Sequence, residues 1–256
     1  MDGLIALLLG LIQGVAEWLP ISSEGWLYIV SVLLLGIDPE EALASALFLH
    51  LGSSIAAILV LRKEIRAVFV GLKREEGREL GVFLSTATAV TCVVGFPLYI
   101  YLRGSLLPSS GRIFALATGF LLLFVGFALR LAISRKTKEA SLTPRSAIFV
   151  GLLQGLSVIP GISRSGITLA ALILLGFGKY SLKLSFLLGI PVILGASLLQ
   201  ITSVGINMLP AFFSSFITSL LLLRVLLSFS YRVEPWKLSI LFGFIAIAFS
   251  FPLVIS

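Results

Sequence analysis

Long apolar runs separated by short charged segments dominate the chain. Six runs approach or exceed the length of roughly 20 residues that a helix needs to cross a bilayer. Four further apolar runs are too short, and each pair of short runs is joined by a segment rich in Gly, Pro and Ser. This pattern predicts an all-α integral membrane protein with six transmembrane helices and two re-entrant helical hairpins. The long runs are 42–61, 80–102, 113–133, 184–204, 209–229 and 238–255, and the short ones are 4–17, 26–36, 146–159 and 167–178.

The overall composition supports a membrane protein. The chain is 58% hydrophobic and 12% charged, with a mean hydropathy of +1.13. A soluble domain of 256 residues does not need that much apolar surface. No polar segment is long enough for a second domain, so residues 1–256 are predicted to form a single membrane domain. The net charge of +7 lies in short loops and does not indicate nucleic-acid binding. The single cysteine, Cys92, excludes an intrachain disulfide and is expected to be a packed thiol.

The loop charges predict a topology. Loops 62–78 and 134–145 are the richest in Lys and Arg and are expected to face the cytoplasm, whereas loops 37–41 and 205–208 carry no Lys or Arg. The first hairpin then starts and ends outside and the second starts and ends inside. This is an inverted-topology repeat, in which the two hairpin tips meet near the bilayer midplane. The alternative, eight to ten ordinary spans without hairpins, requires spans that are too short.

An internal repeat supports the inverted arrangement. The segment from Gly10 to Gly25 repeats the frame of the segment from Gly151 to Gly166 at an offset of 141 residues. The repeat units are predicted to cover about 1–102 and about 146–229. The matching positions are Gly10, Gln13, Gly14, Ile21, Ser22 and Gly25 with Gly151, Gln154, Gly155, Ile162, Ser163 and Gly166.

An arginine lies at the centre of the second Gly/Pro/Ser segment. Arg164 is flanked by Ser163 and Ser165 and lies close to Pro160 and Gly161. An arginine within a membrane protein is expensive and indicates a functional site. Its guanidinium, with hydroxyls and exposed backbone N–H groups, would hold an anion. Two structural alternatives remain open: an ion pair that only ties the hairpins together, and serines that only cap helices.

Two further positions bear on chemistry. Gln13 and Glu17 are four residues apart and therefore share one helix face. Glu17 is expected to act as a base or a metal ligand beside the anion site, or to pair with Arg164. The only histidine, His50, lies in an apolar run and is expected to be a hydrogen-bonded core residue, with a role near the site as the less favoured alternative.

Several motifs resemble those of one known family. The segment from Pro160 to Thr168, PGISRSGIT, is similar to the signature of the undecaprenyl-pyrophosphate phosphatases of the bacitracin-resistance type. Residues 13–17, 19–23, 48–52 and 185–191 also resemble family segments. The resemblance implies removal of one phosphate from a polyprenyl diphosphate at the outer face of the plasma membrane, with a divalent cation, Mg²⁺ or Ca²⁺. This chain has Glu24, Gly25 and Trp26 where the family usually has Thr or Ser, then Gly, then His.

The resulting hypothesis assigns residues to roles. Glu17, Ser23 and Arg164 are the candidate catalytic residues, and the nucleophile is either Ser23 or water. The partners are a polyprenyl diphosphate lipid and the membrane, without nucleic acid, and a homodimer is left open. The competing hypothesis is a lipid-phosphate flippase or an anion transporter without hydrolysis. The candidate substrate-binding residues are Gln13, Ser22, Gly25, Gly161, Ser163, Ser165 and Thr168, and the candidate cation ligands are Gln13, Glu17 and Glu24.

Overall fold

The computed structural model describes residues 3–71, 75–105, 111–135, 140–199, 205–228 and 234–251. Every regular element within these residues is a helix. The α-helices are α1 (Gly3–Ala16), α2 (Ser23–Ile29), α3 (Pro39–Val60), α4 (Arg62–Gly71), α5 (Glu75–Ser105), α6 (Gly111–Ser134), α7 (Pro144–Gly155), α8 (Arg164–Leu175), α9 (Ser181–Leu198), α10 (Leu209–Ser228) and α11 (Pro235–Ser250). Shorter helical turns occupy Val30–Leu34, Leu156–Val158, Gly178–Tyr180 and Ile206–Met208.

Five helical segments of the described chain are long and apolar enough to cross a membrane, which is consistent with an integral membrane protein. They correspond to five of the six predicted spans. The sixth predicted span, 238–255, coincides with α11, which has 16 described residues. The described residues do not include the ends of three predicted spans. These ends are 200–204 of the span 184–204, residue 229 of the span 209–229, and 252–255 of the span 238–255. The five segments are Pro39–Val60, Gly77–Leu102, Gly111–Ser134, Gly178–Leu198 and Leu209–Ser228.

The segment 62–78 differs from the predicted loop. Its first part forms α4, in which apolar and charged positions alternate with helical spacing, and α5 already begins at Glu75. Lys183 Nζ of α9 lies 2.8 Å from Glu64 Oε1 of α4, so these two segments lie at the same end of the molecule. Four of the basic residues used to predict the topology, Lys73, Arg74, Lys136 and Lys138, lie outside the described residues.

The two predicted hairpins are two pairs of short helices, α1 with α2 and α7 with α8. Helices α2 and α8 begin earlier than predicted, at Ser23 and at Arg164. At the second tip, Ser163 Oγ accepts a hydrogen bond from the Gly166 N–H at 3.3 Å and caps α8. The candidate residues Ser23 and Arg164 therefore lie on the first turns of helices, which hold them more firmly than an irregular loop would.

The repeated glycines pack the first arm of each hairpin against a neighbouring helix. A Cβ on Gly10 would lie 2.1 Å from the Ala211 carbonyl oxygen of α10. A Cβ on Gly151, its repeat counterpart, would lie 2.5 Å from the Ala87 carbonyl oxygen of α5. Both positions therefore need glycine because the backbones approach too closely for any side chain. The equivalent contacts are a structural counterpart of the sequence repeat.

The prediction of a packed thiol at position 92 was wrong. Cys92 is exposed on α5. The apolar run around it reflects a helix with a large outward surface, as expected for a helix that faces lipid, and not burial in the protein core.

Candidate functional site

The two hairpin tips meet in the middle of the molecule. Arg164, on the first turn of α8, donates from one terminal nitrogen to Glu17 Oε1 at 2.7 Å. The hydroxyl of the neighbouring Ser165 donates to the Leu19 carbonyl oxygen at 2.8 Å. The ion pair that the sequence offered as a structural link between the hairpins therefore exists, and the remaining question is whether it also does chemistry.

The carboxylate of Glu17 is the centre of this cluster. It lies in the turn that follows α1 and is only 4% exposed. Besides Arg164 at Oε1, its Oε2 accepts from Gln13 Nε2 at 3.0 Å and from the Ser23 hydroxyl at 2.7 Å. His50 Nε2, from α3, lies 3.1 Å from the same oxygen. Charged groups this deep in a protein need such partners, because burial removes their hydration.

The contacts of His50 locate a proton. Its Nδ1 lies 2.7 Å from the Ala46 carbonyl oxygen, which only accepts, so Nδ1 carries hydrogen. Its Nε2 faces a carboxylate oxygen, and two lone pairs at 3.1 Å would repel each other. A second proton must therefore lie between His50 Nε2 and Glu17 Oε2. The Glu17–His50 pair therefore holds a transferable proton next to the Ser23 hydroxyl.

Arg164 retains unused donor capacity. One terminal nitrogen bonds to Glu17, and the other donates to the Ser185 carbonyl oxygen at 3.2 Å. The guanidinium also lies 5.7 Å from the Trp18 ring centroid and covers Gly189, where a Cβ would be only 2.0 Å from the guanidinium. Its buried Nε–H has no acceptor among the described residues. A guanidinium placed in this way is prepared to bind an anionic oxygen.

A cavity of about 360 Å³ opens between the two tips. One part of its wall is polar and includes most of the predicted site. The remaining wall is largely apolar and comes mainly from α5 and α9, including Phe96, Val192 and Ile193. A polar pocket that continues into an apolar channel suits an amphiphile with an anionic head group. The predicted residues in the wall are Glu17, Ser22, Ser23, Glu24, Gly161, Ser163, Arg164 and Ser165.

Three predicted substrate-binding residues do not line this cavity. Gln13 lies behind Glu17 and orients it. A Cβ on Gly25 would lie 2.8 Å from Thr118 Cγ2, so this glycine permits close helix packing. The Thr168 hydroxyl donates to Gln154 Oε1 at 3.1 Å and is thereby held within the core. The structure brings these residues near the site but does not direct them into the cavity.

The hydroxyls at the tips have different roles. Ser163 caps α8, as the helix-capping alternative predicts. Ser22 occupies the N-cap position of α2 in a left-handed conformation, with φ of 63°, and makes no capping hydrogen bond. Such a conformation is costly for a residue other than glycine and is characteristic of functional sites. Ser23 is bonded to Glu17 and Ser165 to Leu19, so neither acts as a helix cap.

The predicted cation ligands fit only in part. Both oxygens of Glu17 already accept from donors, which leaves no lone pair well placed for a cation. The amide oxygen of Gln13 has no described partner but lies away from the cavity. Glu24 faces the cavity, and its carboxylate makes no ion pair or hydrogen bond within the described residues. Across the described chain, no group of three His, Cys, Asp or Glu side chains could hold a metal ion.

Some residues in and around the cluster carry only a weak signal in the sequence. His50 belongs to the cluster and is more than a core residue; the signal was an ionisable side chain inside a predicted span. Gln154, the repeat counterpart of Gln13, holds Thr168 and Thr91. Trp26, where the family pattern has histidine, packs edge-on against Phe242 and does not reach the cavity.

Comparison with known proteins agrees with the geometry. A family model described as "Bacitracin resistance protein BacA" matches residues 6–251. The chain belongs to this family. Among its relatives, a protein of Haloarcula marismortui is 36% identical and one of Methanopyrus kandleri is 38% identical, each alignment covering 94% of both chains. A protein of Saccharolobus islandicus is 41% identical over 75% of this chain and 71% of its own. All three relatives carry the name undecaprenyl-diphosphatase.

Proposed function

We propose that the chain is a polyprenyl-diphosphate phosphatase. It removes the terminal phosphate from a lipid diphosphate of the undecaprenyl type and leaves the lipid monophosphate, which allows the carrier lipid to be used again. The observation that carries the proposal is the Ser23–Glu17 hydrogen bond of 2.7 Å in the wall of the cavity that also contains Arg164. The names of the BacA relatives support the same reaction.

The chemistry follows from these contacts. A hydroxyl bonded to a carboxylate is the arrangement of a nucleophile and its general base. The oxygen of Ser23, or of a water beside it, attacks the terminal phosphorus and gives its proton to the Glu17–His50 pair. The bond between that phosphorus and the bridging oxygen breaks, and the lipid monophosphate leaves. In the serine route, a water molecule then hydrolyses the phosphoserine.

Arg164 stabilises the charge that develops during transfer. The phosphoryl oxygens meet the guanidinium, whose Nε–H is free for a new acceptor. Fixed donors aimed at developing charge are commonly the largest single contribution to catalysis. The apolar wall formed by α5 and α9 receives the first part of the prenyl chain. The head group is thereby bound with its terminal phosphorus next to Ser23.

His50 supplies the imidazole that the family pattern places at position 26. The proton that it shares with Glu17 can pass to the bridging oxygen as the lipid monophosphate departs. A donor-only indole at position 26 cannot perform this step. Active chemistry is therefore compatible with Trp26 in this chain.

A divalent cation, Mg²⁺ or Ca²⁺, remains part of the proposal through Glu24. One carboxylate together with diphosphate oxygens is a common coordination for Mg²⁺. Glu24 is the cavity carboxylate that is not already bonded to another described residue. When bound, the cation would neutralise part of the diphosphate charge. Gln13 and Glu17 keep their positioning and base roles and are not needed as ligands.

The finer membrane arrangement also belongs to the proposal. Six spans and two re-entrant hairpins in an inverted repeat would place the cavity near the midplane, open towards the outer face of the plasma membrane. The short helices of both hairpins and the equivalent packing of Gly10 and Gly151 support this arrangement. A homodimer remains a prediction.

Phosphate release by the purified chain in detergent micelles tests the proposed function. A micelle does not separate two compartments, so transport by a flippase or transporter produces no signal there. Hydrolysis still releases phosphate. We expect multiple turnovers of phosphate from a polyprenyl diphosphate with Mg²⁺ or Ca²⁺ present. Binding of the lipid diphosphate without release of phosphate would favour the carrier.

A further inference from the structure

A second cavity of about 260 Å³ lies on the other side of the hairpin tips. It is separate from the candidate active site, although Ser165 lines both cavities. Glu17 lines the first cavity and the next residue, Trp18, lines the second. One end of the second cavity is lined by Lys179 and Pro235. This end lies near the ends of α6 and α10 and the starts of α9 and α11. The proposed reaction does not use this space.

Two buried donors in this wall have no acceptor. Trp18 is 2% exposed and its indole Nε1–H has no hydrogen-bond partner within the described residues. Ser181 is 1% exposed, and its hydroxyl likewise has none. Leaving a donor unpaired in the interior costs as much as losing a hydrogen bond, so such groups normally meet a ligand or a buried water. Both residues line the same cavity.

The charge of the cavity selects the kind of ligand. Among the described residues, its lining contains Lys179, which is exposed, and no Asp or Glu. An indole N–H and an ammonium group only donate, and a serine hydroxyl can donate as well. The ligand must therefore present acceptors and a negative charge. The rest of the wall is apolar, including Leu169, Leu182 and Phe186, which favours a ligand with an apolar part.

We propose that this second cavity binds a phosphate group, with Trp18 Nε1–H, the Ser181 hydroxyl and the Lys179 ammonium as its donors. A lipid monophosphate and free inorganic phosphate share this chemistry. The apolar walls favour the lipid monophosphate. None of these three side chains contacts the oxygens of Glu17 or lines the first cavity. The Trp18 ring lies beside the Arg164 guanidinium, so Ser181 and Lys179 are the two donors that can be changed without touching the proposed catalytic residues.

Native mass spectrometry of the full chain with farnesyl phosphate tests the proposal by counting bound molecules. We expect the double variant Ser181→Ala, Lys179→Gln to bind one molecule fewer than the unmodified chain, or to bind the last one about tenfold or more weakly, since hydrogen bonds to charged groups are strong. Trp18→Phe, which keeps the ring and removes the N–H, should weaken the same binding event. Farnesol, which lacks the phosphate, should not fill the site.

Matched controls and stability keep the test decisive. Ser197→Ala, Lys237→Gln changes a buried serine of the same helix, whose hydroxyl already donates to Leu194 O, and an exposed lysine outside both cavities. This control should bind as the unmodified chain does. Without ligand, Ser181→Ala should unfold no earlier, because it removes an unpaired hydroxyl. Farnesyl phosphate should raise the unfolding temperature less in this variant than in the unmodified chain.

Comparing farnesyl phosphate, inorganic phosphate and farnesol distinguishes a lipid phosphate from free phosphate as the ligand and also shows whether the phosphate site exists. If inorganic phosphate alone competes with farnesyl phosphate, the phosphate group is sufficient for recognition. If it does not compete, the prenyl tail also contributes to binding. Both results are consistent with the phosphate site. Equal binding of farnesol, or unchanged binding in the double variant, would overturn it and indicate an apolar cavity whose donors meet buried water. If the unmodified chain did not hydrolyse lipid diphosphates at all, the expected binding of farnesyl phosphate at the second cavity would be unchanged.

Discussion

The ion pair between Glu17 and Arg164 allows structure and chemistry to be separated by a double-mutant cycle. Glu17→Gln removes the carboxylate that meets Arg164 at 2.7 Å and leaves the guanidinium with only the Ser185 carbonyl among its described hydrogen-bond acceptors. Breaking one side of a buried ion pair costs about 3–5 kcal/mol, because the remaining charge stays buried. Arg164→Met should cost less, because Glu17 keeps its contacts with His50, Gln13 and Ser23.

The double variant should behave differently in stability and in turnover. With both charges removed, no uncompensated ion remains, so its free energy of unfolding should be no lower than that of either single variant. Turnover should not recover. Loss of the base removes about 10²–10⁴ in rate, and loss of the arginine removes the stabilisation of the transferred phosphoryl group.

The assay is phosphate release in micelles together with thermal unfolding of the same samples. The pair Lys183 and Glu64, 2.8 Å apart and partly exposed, is a matched control. Its cycle should show a coupling of about 1 kcal/mol or less and no change in turnover. If the Glu17→Gln, Arg164→Met variant regained the unmodified rate, the pair would be a structural tie only, and the catalytic roles assigned to both residues would be wrong.

Four further predictions concern the site and the topology. His50→Gln keeps a hydrogen-bonding side chain but cannot carry the shared proton, so turnover should fall about 100-fold and its pH dependence should change; an unaltered pH–rate profile would remove His50 from the reaction. Ser23→Ala should lower turnover, and a complete loss with lipid binding retained indicates a phosphoserine route, whereas substantial residual activity indicates attack by water; a full rate would exclude both roles. Glu24→Ala should raise the cation concentration needed for half-maximal rate, and an identical cation titration would reject it as a ligand. In a variant without the native cysteine, cysteines at Asp38 and Ala140 should react with an impermeant thiol reagent from opposite sides of the membrane, and reaction of both from one side would contradict the inverted topology.

The two helix breaks were predictable because they rest on local rules. The short apolar arms, the Gly/Pro/Ser segments and the offset of 141 residues identified both interrupted helices. The cost of isolated charges in a membrane made an ion pair between Glu17 and Arg164 one of the alternatives, and the two side chains meet at 2.7 Å. These features depend on segment length and on charge, which a sequence displays directly.

Other features depend on which helices become neighbours, and the sequence does not display that. His50 lies 33 positions beyond Glu17 in the chain and becomes its partner only because α3 packs beside the first tip. Thr168 has the same local signal as Ser165, yet Gln154 holds it away from the cavity. The exposure of Cys92 likewise depends on which face of α5 the other helices leave uncovered. The helical start of the segment 62–78, by contrast, carries a local signal in the helical spacing of its apolar and charged positions.

The most direct test of the account is release of labelled phosphate from a polyprenyl diphosphate labelled in its terminal phosphate, measured in parallel for three purified proteins. The unmodified chain and the Ser197→Ala control should release phosphate over many turnovers with a divalent cation present, because Ser197 bonds to Leu194 and lies outside both cavities. Glu17→Gln should release it about 1,000-fold more slowly or not at all. Equal rates for all three proteins, or no release by the unmodified chain, would contradict the claim that the cluster around Glu17 hydrolyses the lipid diphosphate.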